Sequence, residues 1–450
     1  MTGPRFPHPL ALLVGCILVA AALSWVLPAG EYQRVEDRET GRTVVVAGTY
    51  APVEATPVGP FQALVGIARG MIEAGTVIFF VFLVGGGFAV VERTGALTRL
   101  VNSLVAALSG RDLLVIPVAG LAFATGGLLI QMQEELIAFV PVLLLLTSRL
   151  GFTPLTAAAM SLGASAVGAS FSFINPFQVG IAQKVAGVDL LSGWQLRVGF
   201  LIPALAIWIG GTMLYARRTR GAVAAPEPRE TTGLGPTAGW RHAAILLTVL
   251  AAFVMFVIGV LRYHWDFDQL SAVFFLMGVV AGLLGGLRLN GTAEAFAEGF
   301  RTMAFAALLI GFARGIYVVL EQGRVVDTIV QGLFTPIAEL PVTISALAMM
   351  VSHTMIHVAV PSTSGQAVLT LPLLVPLSDL IGLSRQVTVL AYQYGAGLCE
   401  IVTPTNGALM AMLAACGVRY DDWIRFAAPI LAVLAVLAVA AIGSGVLLGV

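Results

Sequence analysis

Charge is scarce in this sequence: Asp, Glu, Lys and Arg make up only 11% of its 450 residues, against about 25% in an ordinary water-soluble domain. With 58% apolar residues beside that scarcity, the solvent the chain is written for is lipid. Net charge is zero and no basic stripe occurs, which removes nucleic acid as a partner. Cysteine is nearly missing as well. Cys16, Cys399 and Cys416 stand in apolar context, so a disulfide framework is excluded and they read as small buried hydrophobes. Neither an HExxH pattern nor a complete ligand set is present, and no Ser–His or Asp pair stands at catalytic spacing, so neither a metal nor an intramembrane enzyme is expected.

What the chain has instead is long apolar runs. Stretches of about 20 residues, enough to cross a ~30 Å hydrocarbon core, recur at 9–28, 74–92, 195–216, 242–261, 270–287, 303–320 and 426–448. The start imitates a lipoprotein signal at Leu13-Val14-Gly15-Cys16, but apolar sequence continues to Leu27 and makes it a first membrane span. Basic residues accumulate on the cytoplasmic side of a membrane. The loop 217–241 holds Arg217, Arg218, Arg220, Arg229 and Arg241 against Glu227 and Glu230, so it faces inward; 29–60 holds five acids against three arginines and β-prone residues at Thr43–Val46, so it faces outward as a small hairpin. Arg93, Arg99, Arg111 and Arg149 then agree with the cytoplasmic side only if 112–148 dips into the membrane and returns.

The second half repeats the order of the first. Gly70 and Gly299, Gly95 and Gly323, and, at a constant offset, Pro141 and Pro372, Gly151 and Gly382, and Asn175 and Asn406 correspond. One copy starts outside after one span and the other inside after two more, so the second is inverted, a recurring plan of secondary transporters. The expected fold is an all-α polytopic membrane protein of two inverted-topology repeats, each with a re-entrant helical hairpin and a broken transmembrane helix. Its parts are 1–59, a first span and external loop; 60–216, the first repeat, with hairpin 112–148 and broken helix 153–187; 217–241, a cytoplasmic linker; 242–287, two spans; and 288–450, the second repeat, with hairpin 341–378 and broken helix 387–417.

Backbone at membrane depth must be satisfied internally, so polar or Pro/Gly-interrupted stretches there imply a protein interior or a wet cavity. Four occur, two per half: Gln131-Met132-Gln133-Glu134-Glu135, Ser170 to Pro176, Pro361-Ser362-Thr363-Ser364-Gly365-Gln366, and Thr403-Pro404-Thr405-Asn406-Gly407. The first and third read as hairpin tips, the others as mid-span breaks forced by proline. Frayed helix ends attract anions at the amino end and small cations at unwound carbonyls. Glu134 and Glu135 carry the sharpest signal, since a carboxylate at membrane depth costs roughly 2.5 kcal/mol or more; either one lines the substrate path or the tip is pushed out into water. Ser161, Ser165 and Ser170 read as close-packing residues.

FPHPLALLVG near the start, RGMIEAG at 69–75, QMQEE at the first tip, INPFQVGIAQ at 174–183, PSTSGQAVLTLPLLVPLSDLIGLSRQ at 361–386 and TPTNGALMAML at 403–413 resemble the YfcC-type branch of the C4-dicarboxylate anaerobic carrier (DcuC) family over nearly the whole chain. More distantly, the two tips and two broken helices resemble the ion-transporter superfamily, with its sodium/dicarboxylate symporters and aminobenzoyl-glutamate transporters. That resemblance implies a homodimer with a rigid scaffold and an elevator-type transport domain in each protomer. Carried over by position, it implies substrate contacts at Gln133, Glu134, Glu135, Asn175, Ser362, Thr363, Ser364, Thr403, Thr405 and Asn406. Where the branch is expected to have Gly-Asp-Gly, this chain has Gly395-Ala396-Gly397, with Glu400 as the replacement acid.

The branch is commonly named for basic amino acid exchange, and the residues lean the same way: neither tip holds Arg or Lys, and the first holds two carboxylates. The expected function is therefore secondary active transport of small amino acids in the bacterial inner membrane, as an arginine/ornithine-like antiporter with a cytoplasmic N-terminus. The alternative is a sodium-coupled symporter of C4-dicarboxylates or other small carboxylates. No cofactor is implied beyond a coupling ion, Na⁺ or H⁺. Glu400, His353 and His357 are the coupling candidates; the two histidines share one helix face, where packing and proton handling are both open readings. Arg314 inside a span needs an acid partner or a cavity, and Trp25, Trp194 and Trp423 read as interfacial anchors.

Overall fold

The computed structural model describes residues 8–37, 42–107, 111–220, 239–263, 265 and 267–450. The first seven residues, the turn of the hairpin expected within 29–60 and most of the linker expected at 217–241, Glu227, Arg229 and Glu230 included, lie outside the described residues.

Helix dominates, and nine helices among the described residues are long and apolar enough to cross a bilayer. Strands occur, among these residues, only between the first two helices, as two short antiparallel pairs: Gly30–Glu31 with Ala51–Pro52, and Arg34–Asp37 with Arg42–Val45. The chain is a multi-pass helical membrane protein.

The first span, Pro9–Val26, opens with proline at its first turn, where the missing N–H is not needed. Pro60–Glu73 and Gly75–Arg93 follow as two helices separated at Ala74. The corresponding stretch of the second half is different. The pairing of Gly70 with Gly299 and the separate apolar run at 303–320 imply a division there, yet Arg288–Gln322 is one helix of 35 residues. No proline or Gly pair interrupts its Arg301-Thr302-Met303 stretch, so nothing competes with helix propagation. It packs along both Pro60–Glu73 and Gly75–Arg93, and the approach is close. A Cβ on Gly70 would lie 2.5 Å from the Gly315 nitrogen and 2.6 Å from the Gly311 carbonyl oxygen, so only small residues allow this crossing.

Two helix–tip–helix units and two interrupted helices complete the plan. Val115–Ile130 ends at Gln131, a left-handed residue (φ 53°), and the chain resumes as Glu134–Phe139 and Val140–Arg149. Val342–Ala359 ends before Pro361, and Thr363–Ile381 starts with Ser362 accepting a hydrogen bond from the Gly365 N–H. Each unit closes on a left-handed glycine, Gly151 and Gly382, both at φ 72°, a conformation glycine takes without Cβ strain. The first interrupted helix runs Pro154–Ala158, Ala159–Gly163 and Ala164–Ser170, then restarts at Pro176. The second runs Arg385–Glu400 and restarts at Gly407. Both restarts have an asparagine cap: Asn175 Oδ1 accepts from the Phe177 and Gln178 N–H groups, and Asn406 Oδ1 from Leu409 N–H. Trp194–Thr219 and Tyr420–Leu448 follow the two interrupted helices.

Trp25 and Trp194 are exposed, as anchors should be, but Trp423 is not. It is fully buried, donates Nε1–H to the Ile401 carbonyl at 2.8 Å and packs against Trp208 and Phe426. A tryptophan at a helix start reads as interfacial from sequence, but here the neighbouring helix end offers an acceptor that satisfies its N–H inside the protein.

Candidate functional site

The first tip is fastened from beneath. Ser165 donates to the Met132 carbonyl oxygen, Ser172 Oγ to Leu128 O at 2.8 Å, and Asn175 Nδ2 to Gly127 O at 2.9 Å. The last helical turn before Gln131 leaves carbonyls short of donors: Ser172 supplies one to Leu128 O, Asn175 adds a second to Gly127 O, which already accepts from the Gln131 N–H at 3.0 Å, and Ser165 holds the tip itself at Met132. Ser165 is therefore more than a packing residue, whereas Ser161 and Ser170 bond to carbonyls four residues back in their own helix.

From this support the tip reaches the break of the second interrupted helix. Gln133 Nε2 donates to Glu400 Oε2, and Gln133 Oε1 accepts from Asn406 Nδ2 at 3.3 Å. Asn406 Nδ2 also donates to the Glu400 carbonyl at 3.1 Å. Gln131 Nε2 lies 2.6 Å from Thr363 Oγ1 and 3.5 Å from Glu400 Oε1, which brings in the second tip. Glu135 is buried and turns back, its carboxylate accepting from the Gln133 N–H at 3.0 Å. Thr403 and Thr405 hydroxyls pair at 2.8 Å within the break.

The second tip has its own polar chain. Gln366 Nε2 donates to the His353 carbonyl at 2.8 Å and to His353 Nδ1 at 2.9 Å, while Gln366 Oε1 accepts from His357 Nδ1 at 2.9 Å. His357 Nε2 points at Glu400 Oε1 from 3.8 Å. Both histidines are fully buried. Among the described residues no group of three or more His, Cys, Asp or Glu could hold a metal ion.

Above these contacts lies a cavity of about 620 Å³. Glu134, Ser362, Thr405 and Asn406 line it, together with Glu73, Arg314 and, from the short hairpin between the first two helices, Arg34, Thr43 and Val45. Its arginines are each matched by an acid: Arg314 Nε lies 2.9 Å from Glu73, and Arg34 is 2.8 Å from the buried Asp327. The Glu134 carboxylate has no side-chain partner among the described residues. Of the residues expected at the site, Gln133, Glu135, Thr363 and Thr403 are buried behind the wall, Ser364 is half-buried and bonds to nothing described, and Asn175 serves the base of the first tip rather than the cavity.

Sequence reasoning missed Arg197 and Gln393. Arg197 is fully buried and donates to Gln393 Oε1 at 2.9 Å, Ser192 O at 2.9 Å and Gln386 Oε1 at 3.2 Å, with no acid partner among the described residues. Gln393 in turn donates to Ser172 O at 2.6 Å and so ties the two interrupted helices together. The only available signal was an arginine inside the apolar run 195–216. The contribution of Arg34, Thr43 and Val45 left no signal, because they belong to a loop expected in water.

A predominantly helical membrane protein whose interrupted helices gather buried polar side chains beside a cavity falls in the class of polytopic membrane transporters. The chain belongs to the C4-dicarboxylate anaerobic carrier (DcuC) family, whose model matches residues 6–446. It is 32% identical to YfcC of Escherichia coli (strain K12), which carries the provisional name of a basic amino acid antiporter, over 95% of this chain and 94% of that protein. A protein of Haemophilus influenzae is 26% identical over 96% and 95% of the two chains. Among solved structures, the Alcanivorax borkumensis YdaH transporter covers 98% of this chain and 99% of its own at 18% identity and a TM-score of 0.43. Neisseria gonorrhoeae MtrF, described as one of a class of antimetabolite efflux pumps, covers 98% and 95% at 18% identity and a TM-score of 0.42.

Proposed function

We propose that this protein is a secondary active transporter of small amino acids, working as an antiporter of basic amino acids of the arginine/ornithine type. The observation that carries the reading is the charge balance of the cavity wall: Arg34 and Arg314 are each neutralised by an acid, and Glu134 is left over. A desolvated carboxylate without a partner is costly, and a guanidinium or ammonium side chain supplies the missing charge with directed hydrogen bonds. The α-carboxylate of such a ligand would meet Ser362, Thr405 and Asn406 across the same cavity. The relative's name points the same way.

The finer architecture belongs to this proposal. The two halves are copies in opposite orientation, the units at 112–148 and 341–378 re-enter the membrane, and a transport domain slides as an elevator against a scaffold in a homodimer. The repeated order of units, the paired Gly151/Gly382 turns and the paired Asn175/Asn406 caps support it. The chain would sit in the bacterial inner membrane with its N-terminus in the cytoplasm. A second reading, sodium-coupled uptake of C4-dicarboxylates, is favoured by the family name and by the two arginines on the wall.

Proteoliposomes separate the two. Labelled L-arginine entering vesicles loaded with L-ornithine, independently of sodium, is the expected result. Sodium-dependent uptake of succinate with no arginine exchange would replace the first reading by the second.

A further inference from the structure

The amide orientations around Glu400 are fixed by backbone groups, whose donor or acceptor character is not in question. Leu409 N–H donates to Asn406 Oδ1 at 3.2 Å and the Glu400 carbonyl accepts from Asn406 Nδ2 at 3.1 Å. Asn406 therefore presents N–H to Gln133 Oε1 at 3.3 Å, which turns Gln133 Nε2 toward Glu400 Oε2. Glu400 Oε2 is thus an acceptor. On the other side, the His353 carbonyl accepts from Gln366 Nε2 at 2.8 Å, so Gln366 Oε1 faces His357 Nδ1 at 2.9 Å, and Nδ1 must carry the hydrogen. In neutral His357 this leaves a bare lone pair on Nε2, buried and without a hydrogen-bond partner. That lone pair faces Glu400 Oε1 at 3.8 Å, in a gap where His357 is fully buried and Glu400 is 6% exposed.

Two acceptors facing each other out of water repel, and one hydrogen nucleus between them turns repulsion into a charge-assisted hydrogen bond. We infer that Glu400 and His357 form the coupling-proton site of this transporter, holding a single proton between Glu400 Oε1 and His357 Nε2. The proton sits on the carboxyl or on the imidazole; in both forms atoms and charges balance with no other reactant. His357 stands on the helix leading into the second tip and Glu400 at the second helix break. Protonation draws these two elements together, and proton release separates them, which links the ion to the opening of the cavity. Other titratable groups around the pair are Glu134 and Glu135 on the first tip, His353 one turn away, Cys399 beside Glu400, and Tyr420, whose hydroxyl bonds to the Val402 carbonyl. Among the described residues no arginine or lysine pairs with Glu400. The role in coupling rests on the transport reading above, whereas the proton site does not.

The test uses full-length protein in lipid nanodiscs and needs no substrate. Infrared difference spectra are recorded over a pH series for the wild type, Glu400→Gln and His357→Gln. One titration step carrying carboxyl and imidazole bands together is expected in the wild type. Glu400→Gln should abolish it, and His357→Gln should keep a carboxyl step whose proton affinity differs at least tenfold. In a background with Cys16, Cys399 and Cys416 replaced by alanine, maleimide labelling of Ser364→Cys, divided at each pH by the labelling rate of the same protein unfolded in denaturant to remove thiol ionisation, should slow severalfold on acidification, and adding Glu400→Gln should flatten that ratio. Should Glu400→Gln fail to fold, His357→Gln decides alone. Imidazole and carboxyl bands titrating independently, a His357→Gln spectrum with an unmoved step, or sodium shifting the step at constant pH would each overturn the inference. A failure of arginine exchange in proteoliposomes would sink the proposed function and leave this result intact.

Discussion

Glu134 and Glu135 are neighbours in sequence but should part company when tested. Glu134 lies on the cavity wall with no side-chain partner, and Glu135 is buried with its carboxylate turned onto the Gln133 N–H at 3.0 Å. Replacing Glu134 by glutamine removes one full charge from the wall and little volume. A hydrogen bond to a charged group is worth roughly 1.5–3 kcal/mol, and about 1.4 kcal/mol is tenfold in affinity, so L-arginine should bind ~10- to 100-fold more weakly. L-Citrulline, with the same length and an uncharged ureido end, should lose several-fold less than arginine, since its N–H groups can still donate to the glutamine oxygen and no ion pair is forfeited. Glu135→Gln keeps an oxygen that can accept from Gln133, so any loss there should fall equally on both ligands. Isothermal calorimetry on purified protein gives both numbers. Equal losses for arginine and citrulline in Glu134→Gln would refute the assignment of Glu134 to the ligand's positive end.

Three further outcomes follow from geometry. Gly70→Ala puts a methyl group 2.5 Å from a backbone nitrogen, so the helices must part; overpacking of this kind costs about 1–3 kcal/mol and should appear as a lower thermal midpoint together with loss of the Glu73–Arg314 pair. Asn406→Ala removes a helix cap, about 1 kcal/mol, and strands the Gln133 amide oxygen, about 1–3 kcal/mol more; Asn406→Asp should restore the cap in denaturation experiments but not the donors to Gln133 and Glu400. In the segment between the first two helices, burial first, then the charge of Asp327 and neighbouring Tyr50, push the Tyr32 phenol up to about 12. Its contribution to stability is whole below the ordinary value near 10 and lost as pH rises through about 12, so the difference between spectrophotometric titrations of the wild type and Asp327→Asn should show a late tyrosine step moving to lower pH.

The membrane character and the polar interruptions were legible because lipid punishes every unpaired polar group, which makes Gln131–Glu135 and Thr403–Asn406 conspicuous against their apolar surroundings. The two breaks were legible through Pro176 and Pro404, but the caps were not singled out: Asn175 and Asn406 satisfy free N–H groups at the restarts, whereas the sequence suggested them as substrate contacts. Contacts between distant segments were not. Nothing near Gln366 announces that its amide joins two histidines, or near Arg197 that it holds Gln393, since the histidines lie 9 and 13 residues away and Gln393 lies 196 away. Trp423 was misread because a tryptophan at a span end looks the same whether its N–H meets water or the Ile401 carbonyl. The continuous helix Arg288–Gln322 was also hidden, because a weak internal likeness to the first half suggested a division that no residue enforces.

Arg34, Thr43 and Val45 belong to a short hairpin outside the spans, and yet they form part of the cavity wall. The hairpin is moored by Arg34 to Asp327 and by Tyr50 to Thr328, on a helix just beyond the span that carries Arg314. A soluble reagent such as a nanobody, gripping this loop from the water side, would therefore cork the compartment without entering the bilayer. Epitope tags or protease sites placed in the same loop would not be neutral labels.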